Sequence, residues 1–178
     1  MEGDWSNGAF FLAADALQAE SALEILGLEE TSLQGDRAAA HWIPSLCREN
    51  CTIDASDIPD LVPILSVVAA CRYGALFTNI RRLRLKESDR VESVIAMMKS
   101  LGGLAEATED TLTIIGTGLT GGTVDAMNDH RIAMSAAIAS TVCPNPVTLL
   151  GAECVHKSYP TFWEEFTRLG GNYEQYLR

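Results

Sequence analysis

Positive charge is scarce in this sequence: 13 Lys and Arg stand against 24 Asp and Glu in 178 residues, a formal net charge of −11. Binding a nucleic-acid backbone relies on summed positive charge, so the deficit argues against a nucleic-acid partner. Any local basic cluster is then expected to meet a small anion. Long hydrophobic runs are also missing. The longest, such as "LVPILSVVAAC" (61–71), fall well short of the roughly 20 residues needed to cross a bilayer, and no charged segment leads into an apolar one at the N-terminus. The reading is a soluble, cytoplasmic protein with no membrane partner. Cysteines lack any pairing pattern: Cys47, Cys51, Cys71, Cys143 and Cys154 are odd in number and scattered, which argues for reduced thiols. Cys47 and Cys51, with His41, imitate part of a metal site, but thiols on a helix end and the following strand fit ordinary core better, so no metal is expected. A lead-in is lacking too. "MEGDWSNGAFFLAADAL" reaches a helix almost at once, with Asp4 or Ser6 as N-cap and Ala9, Phe10, Leu12, Ala13, Ala16 and Leu17 at helical spacing. More sequence upstream is expected in the natural protein.

What is present repeats. Three segments share one grammar, a small-residue helix opened by an acidic residue, a loop and a hydrophobic strand: "DWSNGAFFLAADALQAESALEILG" (4–27), "DLVPILSVVAACRYGALFTNI" (60–80) and "DHRIAMSAAIASTVCPNPVTLLG" (129–151). A second, more charged helix follows each, in "QGDRAAAHWIPSLC", "SDRVESVIAMMKSLGG" and "SYPTFWEEFTRLGG". Extended segments come next: "CTIDAS", then "LAEATED" with "TLTIIG", and finally "NYEQYL". With 47% hydrophobic residues, this predicts an α/β fold of pseudo-threefold repeats. The Ala- and Ser-rich first helices pack together inside, and the second helices lie outside. Their inner N-termini, at Asp4, Asp60 and Asp129-His130-Arg131, then share one end, where unpaired N–H groups and dipoles favour anions.

Against this acidic background, "RRLRLKESDRVES" (81–93) concentrates Arg81, Arg82, Arg84, Lys86 and Arg90 around Glu87 and Asp89. Part of it reads as a plain helix start, with Ser88 or Asp89 as N-cap and Asp89 and Glu92 as a capping box. "NDHR" (128–131) reads the same way, with Asp129 as N-cap. Cations in a first turn oppose the helix dipole by a few tenths of a kcal/mol, roughly. Two helices breaking that preference, at Arg90 and at His130-Arg131, with Lys157 before a third, make sense if these cations converge on a multiply anionic ligand.

The motifs "EGDWSNGAFFLAA" (2–14), "SLQGD" (32–36), "DIPD" (57–60), "LRLKESDR" (83–90), "NDHRIAM" (128–134) and "HKSYPTFWEEF" (156–166), in this order along the whole chain, resemble the 5-enolpyruvylshikimate-3-phosphate synthase family. The resemblance implies transfer of the enolpyruvyl group of phosphoenolpyruvate to the 5-hydroxyl of shikimate 3-phosphate with release of phosphate. It implies an enolpyruvyl transferase-like fold of βαβαββ repeats, with residues 1–178 forming one domain, the C-terminal one, without its N-terminal strand or the second domain. Asp60 matches the carboxylate that deprotonates the shikimate hydroxyl, and Glu87 the one placed for proton transfer at the methylene. Arg90, Arg131 and Lys157 match the cations that clamp phosphoenolpyruvate, with Lys86 and His130 beside them. Arg82 stands where some members have Asn, a position associated with the shikimate phosphate. No metal or organic cofactor is implied, because the substrate's own phosphate is the leaving group. The missing N-terminal half is the implied partner, and the isolated chain is expected to be inactive or weak. A UDP-sugar enolpyruvyl transferase would share the fold but not "KESDR" followed by "NDHR". A non-catalytic anion-binding module would need the cations but not Asp60 and Glu87.

Overall fold

The computed structural model describes residues 2–19 and 23–176. Three helices form its centre: α1 (Trp5–Leu17), α3 (Val62–Cys71) and α5 (His130–Ser140), each packed against the other two. The reason is compositional. Val62 to Ala70 of α3 and His130 to Ala139 of α5 are buried on every side, so neither helix has a solvent face. Ser66, Ala69 and Ala70 on α3 and Ala133, Ala136 and Ala137 on α5 keep the side chains short where helices meet. Pro63 sits in the first turn of α3, where its missing N–H costs nothing.

Two strand–helix–strand units are built alike around these helices. In one, β1 (Cys51–Asp54) and β2 (Ala75–Thr78) run parallel across α3; in the other, β5 (Gly122–Asp125) and β6 (Val147–Leu150) run parallel across α5. The correspondence extends to single bonds. Ala55 N donates to Thr78 O and Ala126 N to Leu150 O, both at 2.9 Å, and the strand-ending Asp54 and Asp125 accept from Ser56 N and Met127 N. The first unit continues through α4 (Arg90–Ser100) into the hairpin of β3 (Leu104–Ala107) and β4 (Thr111–Ile115), giving a mixed sheet in the order β1-β2-β4-β3. Helices α2 (Ala39–Leu46) and α6 (Phe162–Arg168) complete the second set. One core runs from Phe10 and Leu65 through Phe77 and Met97 to Ile132 and Phe162. Cys47 closes α2 and Cys51 opens β1, each thiol donating to a nearby carbonyl, as ordinary packing.

Several expectations are corrected. The strand expected in "LEILG" does not form: Leu23 to Ile25 are irregular, Leu26 and Gly27 turn, and Gly27 O accepts from Gly3 N instead of from a strand neighbour. "NYEQYL" is unpaired through Tyr176, with Tyr173 resting on Trp163, while Leu177 lies outside the described residues. The strand β5 was not anticipated, because Gly121 and Gly122 read as loop and only Val124 of its four residues is buried. Asp60 does not cap α3. The cap position is Leu61, and the Asp60 carboxylate is drawn elsewhere. Asp4, Asp89 and Asp129 do cap their helices, but the capping box at Asp89 is one-sided, since Glu92 reaches to Arg84.

Candidate functional site

The N-termini of α1, α3 and α5 meet through Arg131, which reaches Ser6 and lies beside Asp60, and residues 86–90 contact Asp60 and Asp129 there. Arg90 lies at the middle with a fully buried side chain. All five of its N–H donors are used: Nε and Nη2 bind Asp129 at 2.9 and 3.3 Å, Nη1 binds Asp60 at 2.7 Å and Pro59 O at 3.4 Å, and Nη2 binds Glu87 at 2.6 Å. The cation in the first turn of α4 therefore points away from the helix dipole into three carboxylates. Asp129 is also fully buried, and its carboxylate does three jobs, accepting from Arg90, from Arg131 N as the α5 cap, and from Ser88 Oγ at 3.1 Å.

Arg131 contrasts with it. It is 6% exposed, stacked 6.0 Å from the Phe10 ring centroid, and Nη2 donates to Ser6 Oγ at 2.8 Å. Its Nε and Nη1 are buried without a partner. Asp60 Oδ2 lies 3.7 Å from Nη2, beyond hydrogen-bond range. A buried guanidinium with unmade bonds is costly, so this is the part of the cluster most in need of an added acceptor.

Asp60 connects the two. Lys86 Nζ is 3.0 Å from Oδ1, which Arg90 also binds. Burial pushes its carboxyl up, but the Lys86 bond, the Arg131 charge and Arg90 outweigh burial and hold it down at about 2. Asp36, in the 3₁₀ turn Gly35–Ala38, shifts the other way. Burial first, then the charges of Asp60 and Asp4, push it up to about 6 against the pull of Arg131 and Lys86. Gly35 makes this approach feasible, because a Cβ there would stand 2.7 Å from Asp57 O.

The remaining expected residues are placed as follows. Glu87 is exposed beyond its bond to Arg90. His130 is buried, and burial followed by the Arg131 charge lowers its pKa. Lys157 is exposed at the end of a 3₁₀ turn and donates to Asn128 Oδ1 at 2.6 Å, which ties it to the segment leading into α5. That segment is strained: Met127 and Asn128 both have positive φ, of 50° and 57°, and Met tolerates this poorly. The basic run divides. Lys86 and Arg90 turn inward, while Arg81 pairs with Glu109 and Asp110, Arg82 donates to Ser56 O, and Arg84 bridges Asp89, Glu92 and Thr108 O. Asp129, Ser6, Ser88 and Asp36 belong to the cluster without having been singled out for it. Asp129 and Ser6 passed as helix-start residues, and only the clustering of "SLQGD" with the other motifs pointed to Asp36.

Comparison with known proteins agrees with this architecture. Curated relatives named 3-phosphoshikimate 1-carboxyvinyltransferase include those of Clostridium kluyveri, 40% identical over 99% of this chain, and Clostridium perfringens, 41% identical over 96%. The chain spans about 45% and 44% of their lengths. Among solved structures, an EPSP synthase from Acinetobacter baumannii superposes with a TM-score of 0.83 at 27% identity, over 97% of this chain and 47% of that one. The enolpyruvyl transferase NikO from Streptomyces tendae shares the fold, with a TM-score of 0.69 at 16% identity over 97% of this chain and 44% of its own. The sequence profile described as EPSP synthase (3-phosphoshikimate 1-carboxyvinyltransferase) matches residues 1–166, and the chain belongs to that family.

Proposed function

We propose that this chain is one domain, and one half, of an enzyme that moves the enolpyruvyl group of phosphoenolpyruvate to the 5-hydroxyl of shikimate 3-phosphate. The observation that carries this reading is Arg131, buried at the junction of three helix N-termini with Nε and Nη1 lacking a hydrogen-bond partner among the described residues. Lys86 and Lys157 add positive charge at the same end. Arg90 is already saturated, so an oxyanion reaches it only by replacing Glu87 or Asp60.

The chemistry divides between the two carboxylates. In the addition, the hydroxyl oxygen attacks C2 of phosphoenolpyruvate while its proton goes to a base and the methylene C3 gains a proton. In the elimination, C3 gives up a proton and the C2–O bond to phosphate breaks, leaving the enolpyruvyl ether. Asp60 is the base and Glu87 the proton donor and acceptor at C3. With Asp60 held at about 2 it is a weak base in this state. Bound oxyanions that engage Lys86 and Arg131 relieve that hold and raise its basicity. Glu87 is exposed here, so the second half of the enzyme supplies the remaining substrate contacts and excludes water.

The test is phosphate release from phosphoenolpyruvate plus shikimate 3-phosphate, by the chain alone and mixed with a separately produced N-terminal half. The expected result is turnover in the mixture only, reduced by about 10²- to 10⁴-fold in Asp60→Asn and Glu87→Gln. A mixture that forms a complex without turnover identifies a non-catalytic anion-binding module instead.

A further inference from the structure

We infer that Ser6 is the residue that aims Arg131, holding its guanidinium off Asp60 so that Nε and Nη1 are left without an acceptor among the described residues. The inference rests on the anion-site reading above. Three observations carry it.

First, Ser6 Oγ is the partner of Arg131 Nη2, at 2.8 Å, and Ser6 is itself 5% exposed. Second, the hydroxyl is oriented from behind: it donates to Asp4 Oδ1 at 2.7 Å, and that same oxygen accepts Ser6 N at 2.9 Å as the α1 cap. With its proton given to a carboxylate, Ser6 Oγ can only accept from Arg131, and is a stronger acceptor for it. Third, the alternative partner is present but not hydrogen-bonded. Asp60 Oδ2 stands 3.7 Å from Nη2, whereas a close arginine–carboxylate pair sits at about 2.7–2.9 Å with two parallel bonds.

Removing the Ser6 hydroxyl leaves Nη2 without an acceptor. The nearest remedy is a small shift of Arg131 onto Asp60. That shift would pair the arginine with the carboxylate and move Nε and Nη1 from their present positions. The Phe10 ring, 6.0 Å from the guanidinium carbon, supports the plane but supplies no hydrogen bond to fix its direction. Ser6 is thus a positioning residue, contributed by the first repeat for an arginine of the third.

The test uses the 178-residue chain and inorganic phosphate, with affinity measured by calorimetry and stability by urea denaturation. Ser6→Ala is expected to weaken phosphate binding about tenfold, since a hydrogen bond to a charged group is at stake. Ser6→Thr, which keeps the hydroxyl, is expected to restore most of it. The Arg131 Nε–H resonance, identified by its loss in Arg131→Lys, is expected to shift in Ser6→Ala without phosphate and to return in Ser6→Thr. Phosphate affinity and the Arg131 resonance both unchanged in Ser6→Ala, with only the urea midpoint lowered, would overturn the assignment and leave Ser6 a first-turn residue that supports the Asp4 cap. Equal weakening in Ser6→Ala and Ser6→Thr would overturn it as well. Failure of the unsubstituted chain to bind phosphate is a different result, since it defeats the anion-site reading itself and this assignment with it.

Discussion

Arg90 and Arg131 begin as near-equivalents and end as opposites. Both lie in the first turn of a helix capped by an aspartate, both are buried, and both oppose the helix dipole. Arg90 makes five hydrogen bonds, four of them to three carboxylates, whereas Arg131 makes one to a serine and leaves two nitrogens unpaired. The lesson is that a cation placed against the local charge preference can be a keystone or a receptor, and its acceptors decide which. Arg90 is bonded on every side, while Arg131 is buried with two nitrogens unpaired.

The contrast can be broken at its strongest point by Asp129→Ala. This removes the α5 cap and two bonds to Arg90, and a broken buried ion pair costs about 3–5 kcal/mol, so urea denaturation is expected to report a loss of that order or an unfolded chain. Arg131→Met reverses the balance. Stability is expected to change by no more than about 1 kcal/mol, because an unsatisfied buried group is removed along with one bond, while phosphate affinity measured by calorimetry falls about 10- to 100-fold.

The two shifted aspartates sharpen the comparison through pH. Asp36 rises from 3.8 to about 6 on folding, so the folded state binds the extra proton and stability falls as pH climbs between those values. Asp36→Asn is expected to flatten that slope and, at pH 7, to stabilise the chain by on the order of 1 kcal/mol after allowance for partial exposure. Asp60 has the opposite sign: its contribution is present above about pH 4 and is lost as pH falls towards about 2, a dependence that Asp60→Asn removes from acid titrations of stability. The smallest effect belongs to Lys157→Ala. Its exposed side chain leaves stability within about 0.5 kcal/mol, while phosphate affinity falls a few-fold at low salt and less at high salt.

Much of the fold was legible in the sequence because its signals are local. The all-round apolar character of "LVPILSVVAAC" and the alanines of "RIAMSAAIAS" mark central helices without further information, and Asp4, Asp89 and Asp129 announce helix starts through a bond spanning two or three residues. Strands were harder. "LEILG" has strand composition but no partner to pair with among the described residues, and β5 has strand pairing but little strand composition. The site was legible as a set of residues and not as a set of bonds. Charge and spacing brought Lys86, Arg90 and Arg131 forward as ligand cations, yet whether each is free depends on contacts across 30 to 125 residues of chain, such as Arg90 with Asp60 or Arg131 with Ser6. Asp129 was hidden by its own capping role, which accounts for the residue so well that its bond to Arg90 leaves no separate trace.

The most direct test of this account is a titration of the chain with phosphoenolpyruvate, followed through its arginine Nε–H resonances. The account predicts that the Arg131 signal moves from the first additions while the Arg90 signal, bonded to Asp129, stays in place until Arg131 is occupied. An Arg90 signal that moves first, or an Arg131 signal that does not move at all, would contradict it.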